Sequence, residues 1–207
     1  MSDFRSYRPN NFPPVVKYLI IINAIVFAAQ NIFDNSIGLT EKFALWPVNS
    51  PFFRPYQIIT HMFSHGSIGH IFFNMFALWM FGKILENVWG GKRFLNFYLI
   101  CGIGAAVVHL TVEYFTGNYG AAIGASGAIM GVLVAFGYLF PNTELFILFI
   151  PFPIKAKWAV IGYIAIDLFS GVASFSGDNV AHFAHLGGAL TGFILVLLWN
   201  KSNRRFY

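Results

Sequence analysis

Residues Gly124–Gly131 read GASGAIMG and place Ser126 where a glycine- and alanine-rich run, beginning at Gly120, gives way to an apolar one that continues to Phe140. A serine just ahead of an apolar run marks a helix start. Read for packing alone, the stretch is a capped helix whose glycines let a neighbouring helix come close. Read for chemistry, it presents a hydroxyl at the head of a helix. It is not the Gly-x-Ser-x-Gly of a nucleophile elbow, because Ala128 holds the last position. The other polar residues of the chain, and the side of a membrane on which they fall, separate the two readings.

Of the 207 residues, 57% are hydrophobic and only 10% are charged. A soluble domain carries roughly 25% charged residues, so this chain lacks the charge to cover a soluble globule and is expected to be an integral membrane protein. About 20 mostly apolar residues cross a bilayer as a helix. Six stretches qualify: Val15–Phe33, Ile68–Glu86, Phe94–Tyr114, Ser126–Phe140, Lys157–Ser174 and Val180–Trp199. The fourth is short, which fits a helix whose first turn starts below the membrane surface. The expected fold is therefore all-α, a polytopic six-helix membrane domain over residues 15–199. Polar tails, 1–14 and 200–207, flank it. No cleavable leader is expected from the basic, polar first fourteen residues. Cys101 is the single cysteine, which leaves no disulfide framework and no cysteine metal cluster.

Basic residues orient the segments. Eleven of the thirteen lysines and arginines alternate onto one side: Arg5, Arg8, Lys17, Lys83, Lys92, Arg93, Lys155, Lys157, Lys201, Arg204 and Arg205. Lys42 and Arg54 fall on the other. Both termini are expected to be cytoplasmic, in a membrane of the bacterial inner (plasma) type. Basic residues in small groups between apolar segments argue against nucleic acid as a partner. The first outward loop, Asp34 to Thr60, is rich in aromatics and is expected to lie partly in the outer leaflet. The stretch Phe146 to Pro153, apolar but broken by prolines, reads as interfacial on the inner side.

Polar groups within a membrane are costly and default to a functional reading. His70 and Asn74 lie one turn apart on segment two, on one face. His182 and His185 lie on segment six, and Ser126 opens segment four. Segments two, four and six all run inward from the outer side, so His70, Asn74, Ser126 and His185 share one depth in the outer half of the membrane. A hydroxyl needs a base to become a nucleophile, and a neutral imidazole serves as one near neutral pH. An asparagine amide, an imidazole N–H and the amides at a helix start can hold an oxyanion. Gly127 and Gly131, and Gly188 and Gly192, are each four apart, the spacing by which helices approach closely in lipid.

Three motifs in this order, HIFFN from His70 to Asn74, GASGAIMG around Ser126 and AHLGGALTG from Ala184 to Gly192, resemble the rhomboid family of intramembrane serine proteases. The resemblance spans nearly all of the six-helix region. It implies that Ser126 is the nucleophile and His185 the general base of a serine–histidine dyad. It also implies that His70 and Asn74, with the Ser126 amide, form the oxyanion site, and that Gly124, Gly127, Gly131, Gly188 and Gly192 pack the helices around them. The implied activity is an intramembrane serine endopeptidase that cleaves transmembrane segments of other membrane proteins near the outer face. No metal or cofactor is implied; the partners are substrate helices and the lipid bilayer. His185 is preferred to His182 because glycines follow it by three and seven residues, as in the family. Two positions depart from the family pattern. Tyr56 and Gln57 replace a Trp-Arg pair in the first outer loop, and Met130 replaces an aromatic one turn after the serine.

His61 and His65 read as structural or cleft residues, and no His-Glu-x-x-His supports a metalloprotease. His109 reads as a core histidine. Asp167, an acid inside segment five, is either a packed, hydrogen-bonded group or an orienting partner for a histidine. Two rival functions remain: an inactive relative that binds helices without cutting them, and a small transporter lined by His70, Asn74, His182 and Asp167.

Overall fold

The structure, a computed structural model, describes residues 10–117, 120–146, 152–173 and 182–202. The outermost parts of both predicted tails, most of Phe146–Pro153 and the first residues of the sixth predicted segment lie outside the described residues. Six long helices carry the fold: α1 (Pro14–Ile37), α2 (Ile68–Trp89), α3 (Gly91–Thr116), α4 (Ser126–Leu139), α5 (Ala156–Ala173) and α6 (His182–Ser202). Of the described helices, α1, α2, α3 and α6 are long and apolar enough to cross a membrane. Helix α4, with 14 residues, is the short one foreseen from the sequence. Four of the six expected crossings are thus met by described helices of spanning length and hydropathy, while α4 is shorter and α5, with 18 residues, is not among the four.

The helix ends follow local chemistry. Pro14 opens α1, where its missing N–H costs nothing. Gly38 closes α1 and Gly117 closes α3, both in the left-handed conformation that glycine tolerates best. Ser67 caps α2 by accepting the His70 N–H at 3.1 Å. Helix α2 widens by one residue per turn at Leu78–Gly82 and then continues to Trp89.

Aromatic and aliphatic side chains of α2, α3 and α4, among them Leu78, Phe94, Phe97, Tyr98, Val132 and Phe136, fill the core, and Val196 of α6 joins them. Large apolar residues such as Ile25, Phe73, Ile166 and Leu198 face outward, as a lipid-bathed surface requires. Glycines set how near the helices come. Gly187 lies against Val108 and Ala105 of α3, while Gly188 and Gly192 lie directly on the backbone of Gly127 and Gly131 of α4. Helix α6 is thereby seated between α3 and α4.

Polar contacts tie the two ends of the bundle. On the side predicted to be basic-rich, Glu86 at the end of α2 accepts the Val15 and Val16 amides at 2.9 and 2.8 Å, satisfying donors that the first turn of α1 leaves open. Arg93 donates to the Trp199 carbonyl at 3.4 Å. On the opposite side, buried Gln30 of α1 donates to Thr40 and Ser64 and accepts the His65 amide at 3.0 Å. The loop after α1 carries two short helices, Leu39–Phe43 and Gln57–Thr60. Gln57, which stands where the family pattern has an arginine, is buried and organises this loop. Its amide donates to the Lys42 and Phe52 carbonyls, and its oxygen accepts the Arg54 amide at 3.0 Å.

Candidate active site

Ser126 is the first residue of α4, and the position that caps this helix is held by Ala125, which has no side-chain acceptor. The Ser126 Oγ lies 2.7 Å from Nε2 of His185, in the first turn of α6. The pair is 59 residues apart in sequence and is brought together by the glycine seam of α4 and α6, in which Gly188 follows His185 by one turn. The reading of Ser126 as a simple helix cap therefore does not describe this geometry. The cap serine of the region is Ser67.

The opposite ring nitrogen of His185, Nδ1, faces Asp167 of α5 at 3.1 Å from one carboxylate oxygen and 3.3 Å from the other. A carboxylate only accepts, so Nδ1 carries the proton in this pair and Nε2 presents its lone pair to the Ser126 hydroxyl. Asp167 also takes the Nδ1 of His182 at 2.7 Å. One acid thus holds two imidazoles. Asp167 and His185 are buried, and His182 is partly exposed. Of the two roles open to Asp167 from sequence, packed acid or orienting partner, this position joins both. The link is not readable from the motif, because 18 residues separate Asp167 from His185 and only the rotation of α5 decides which way the carboxylate points.

The loop leading into Ser126 is held from two directions. Leu45 and Ala122 exchange backbone hydrogen bonds at 2.9 and 3.0 Å, and the Gly124 amide donates to the His61 carbonyl at 2.8 Å. Gly124 adopts φ +120°, and any Cβ there would fall 2.7 Å from Nε2 of His70. Its role is a close approach in a left-handed loop, rather than helix packing like that of Gly127, Gly131, Gly188 and Gly192. This brings the His70 ring beside the backbone that precedes Ser126. Asn74, one turn below, donates to the His70 carbonyl at 3.0 Å. His65 packs edge-on against His70, with ring centroids 4.9 Å apart. His61 Nδ1 bonds to the Gln57 carbonyl at 2.8 Å. Burial holds both His61 and His65 well below the usual imidazole range, at about 4. For His61 the Gln57 carbonyl partly offsets this and nearby His109 adds to it; for His65 the second cause is His70. His61 and His65 are therefore neutral supports of the loop. Met130, in place of the family's aromatic, is buried with Val134 and Ala189 between α4 and α6.

The Rhomboid domain family matches residues 53–202. The chain is 34% identical over 189 residues to the mouse protein "Presenilin-associated rhomboid-like protein, mitochondrial", covering 88% of this chain and 49% of that one. It is 32% identical over 140 residues to "Rhomboid protein 1, mitochondrial" of Saccharomyces cerevisiae, covering 67% and 40%. It is 30% identical over 206 residues to "RHOMBOID-like protein 12, mitochondrial" of Arabidopsis thaliana, covering 93% and 60%. The chain spans about half the length of the mouse relative. The expectation of a bacterial inner membrane is corrected by these matches. Relatives from mouse, yeast and plant are all named as mitochondrial proteins, not as proteins of a bacterial membrane. Composition and basic-residue asymmetry report a membrane and a relative orientation, not which membrane. With its domain match covering most of the length and its serine and histidine motifs on α2, α4 and α6, the chain belongs to the rhomboid family.

Proposed function

We propose that the chain is an intramembrane serine endopeptidase acting on transmembrane segments of other membrane proteins, through Ser126 and His185. The observation that carries this reading is the 2.7 Å approach of Ser126 Oγ to His185 Nε2, with Nδ1 of the same ring on Asp167. In the proposed reaction Ser126 attacks a substrate carbonyl while His185 takes its proton. Asp167 favours the imidazolium that forms and keeps the ring in the tautomer that can accept. The oxyanion is held by the Ser126 amide at the positive end of α4, with His70 and Asn74 as side-chain donors. His185 then passes its proton to the leaving amine, and water releases the acyl group. A substrate helix must unwind locally to offer its carbonyl, so cleavage favours small or helix-breaking residues near the membrane face on which α4 begins.

The test is incubation of the detergent-purified protein with a single-span membrane substrate. Wild type is expected to produce two fragments, and Ser126→Ala and His185→Ala none. Fragments that persist in Ser126→Ala overturn the assignment. An inactive, helix-binding relative is distinguished by a serine-directed fluorophosphonate probe, which labels wild type and not Ser126→Ala if the hydroxyl is activated.

A further inference from the structure

We propose that Asp167, His182 and His185 form a site for a divalent transition-metal ion, and that filling it switches off the Ser126–His185 pair. The inhibitory half rests on the protease reading; the binding half does not. One carboxylate and two imidazoles are the donor set that zinc and its neighbours prefer. Here Asp167 Oδ1 lies 2.7 Å from His182 Nδ1, and Oδ2 lies 3.1 Å from His185 Nδ1. One donor atom from each residue falls within 4.8 Å of the others. A tetrahedral ion with bonds of about 2.05 Å holds its ligands about 3.4 Å apart, so the imidazoles need shift by about an ångström at most.

The arrangement exceeds what the reaction requires. Orienting His185 takes one carboxylate, whereas this carboxylate is shared with a second histidine three residues earlier on the same helix face. Asp167 and His185 are buried and His182 is partly exposed. An ion would therefore enter past His182, with water completing the coordination. Magnesium and calcium, which prefer all-oxygen shells, would not compete.

The consequence for catalysis follows from proton placement. Coordination uses the Nδ1 lone pair, so the proton that His185 Nδ1 now shares with Asp167 must leave that nitrogen. The metal-bound ring carries its proton on Nε2 instead and donates to Ser126 Oγ. A ring in that state cannot accept the serine proton. The ion is thus an inhibitor held on the far edge of the base, not a cofactor, and the sequence-based expectation of metal-free chemistry is unaffected.

The experiment titrates cobalt(II) chloride into the 207-residue Ser126→Ala protein in detergent and records the visible absorption of the bound ion. One equivalent is expected to saturate the signal, zinc chloride to displace it and magnesium chloride not to. His182→Ala and the near-isosteric Asp167→Asn should each weaken binding by more than about 10-fold, since losing even an outer-shell partner costs about that much. Whichever variant elutes as folded, monodisperse protein is used. In wild type, zinc chloride should block substrate cleavage, and His182→Ala, scored against its own metal-free rate, should resist it. No cobalt signal, or a signal unchanged in these variants, overturns the site. Binding without inhibition overturns the switch alone. A protein that never cuts any substrate would refute the protease reading and leave the cobalt result standing.

Discussion

A serine and a histidine 2.7 Å apart can transfer a proton only if the imidazole presents its lone pair, and Asp167 supplies that condition here. Replacing it tests the idea at one atom: Asp167→Asn keeps the volume and removes the charge. The expected result is a fall in kcat of roughly 10- to 1000-fold with KM nearly unchanged. That is less than the ~10⁴-fold known for a fully buried triad acid, because here the carboxylate is shared with His182. Loss of a group that acts only in the transition state lowers kcat and kcat/KM together. A purely structural acid would instead lose folded protein while the remaining fraction kept its specific rate. Asp167→Glu should restore part of the activity, and steady-state kinetics on a single-span substrate reads both variants. The candidates Ser126, His185, His70 and Asn74 stand out in sequence because each sits in a short motif at the head of an apolar segment, and the structure brings Ser126 and His185 together. Asp167 is legible only as an expensive acid. Its partners lie on another helix, and hydropathy carries no information about the rotation of α5.

At the level of helices, the site exists because α4 and α6 touch backbone to backbone. Gly188 leaves no room for a Cβ, which would overlap the Gly127 carbonyl, and a Cβ at Gly192 would sit 2.6 Å from the Gly131 Cα. Gly188→Ala must push the two helices apart one turn below His185 and lengthen the serine–histidine approach. Overpacking of this kind costs about 1–3 kcal/mol. A lower thermal midpoint in detergent and a cleavage rate reduced by about tenfold or more are therefore expected. The control is Gly162→Ala on α5, where nothing lies within 4 Å of the added methyl. It should leave the rate alone and hold or slightly raise the midpoint, since alanine is the better helix former. Equal effects from the two substitutions would remove the seam from the mechanism. The paired Gly-x-x-x-Gly spacings predict this contact directly. Gly124 is different: its φ of +120° and the His70 ring against it depend on how the preceding loop is tied down, a long-range matter that spacing does not record. Gln57 is likewise unremarked as an organiser in sequence, where it reads only as a departure from the family pattern.

Across the whole molecule, the end of the bundle that holds the site is built on buried neutral polar groups. Gln30 braces Ser64 and His65, and the His61 carbonyl receives the Gly124 amide. In the sequence, apolar stretches and scarce charge mark the membrane helices, and the basic residues mark two unlike sides. They do not mark this scaffold, whose histidines read as isolated residues. The scaffold makes overall stability depend on pH in a definite direction. His61 and His65 bind protons at about 4 in the folded protein, against 6.5 for the free side chain. As pH falls through 6.5 the unfolded chain takes up protons that the folded chain refuses, so stability is lost progressively between about 6.5 and about 4. Each shift corresponds to a limit of about 3 kcal/mol. Above 6.5 both states are neutral at these positions and the two histidines make stability independent of pH. Thermal unfolding in detergent at pH 7.5, 6.0 and 5.0 should show little change above 6.5 and a steepening fall below it. His65→Gln, which cannot take up a proton, should flatten that fall relative to wild type whatever its midpoint at pH 7.5. If the two proteins lose stability in parallel as the medium is acidified, the neutral-histidine scaffold is not what sets the acid limit.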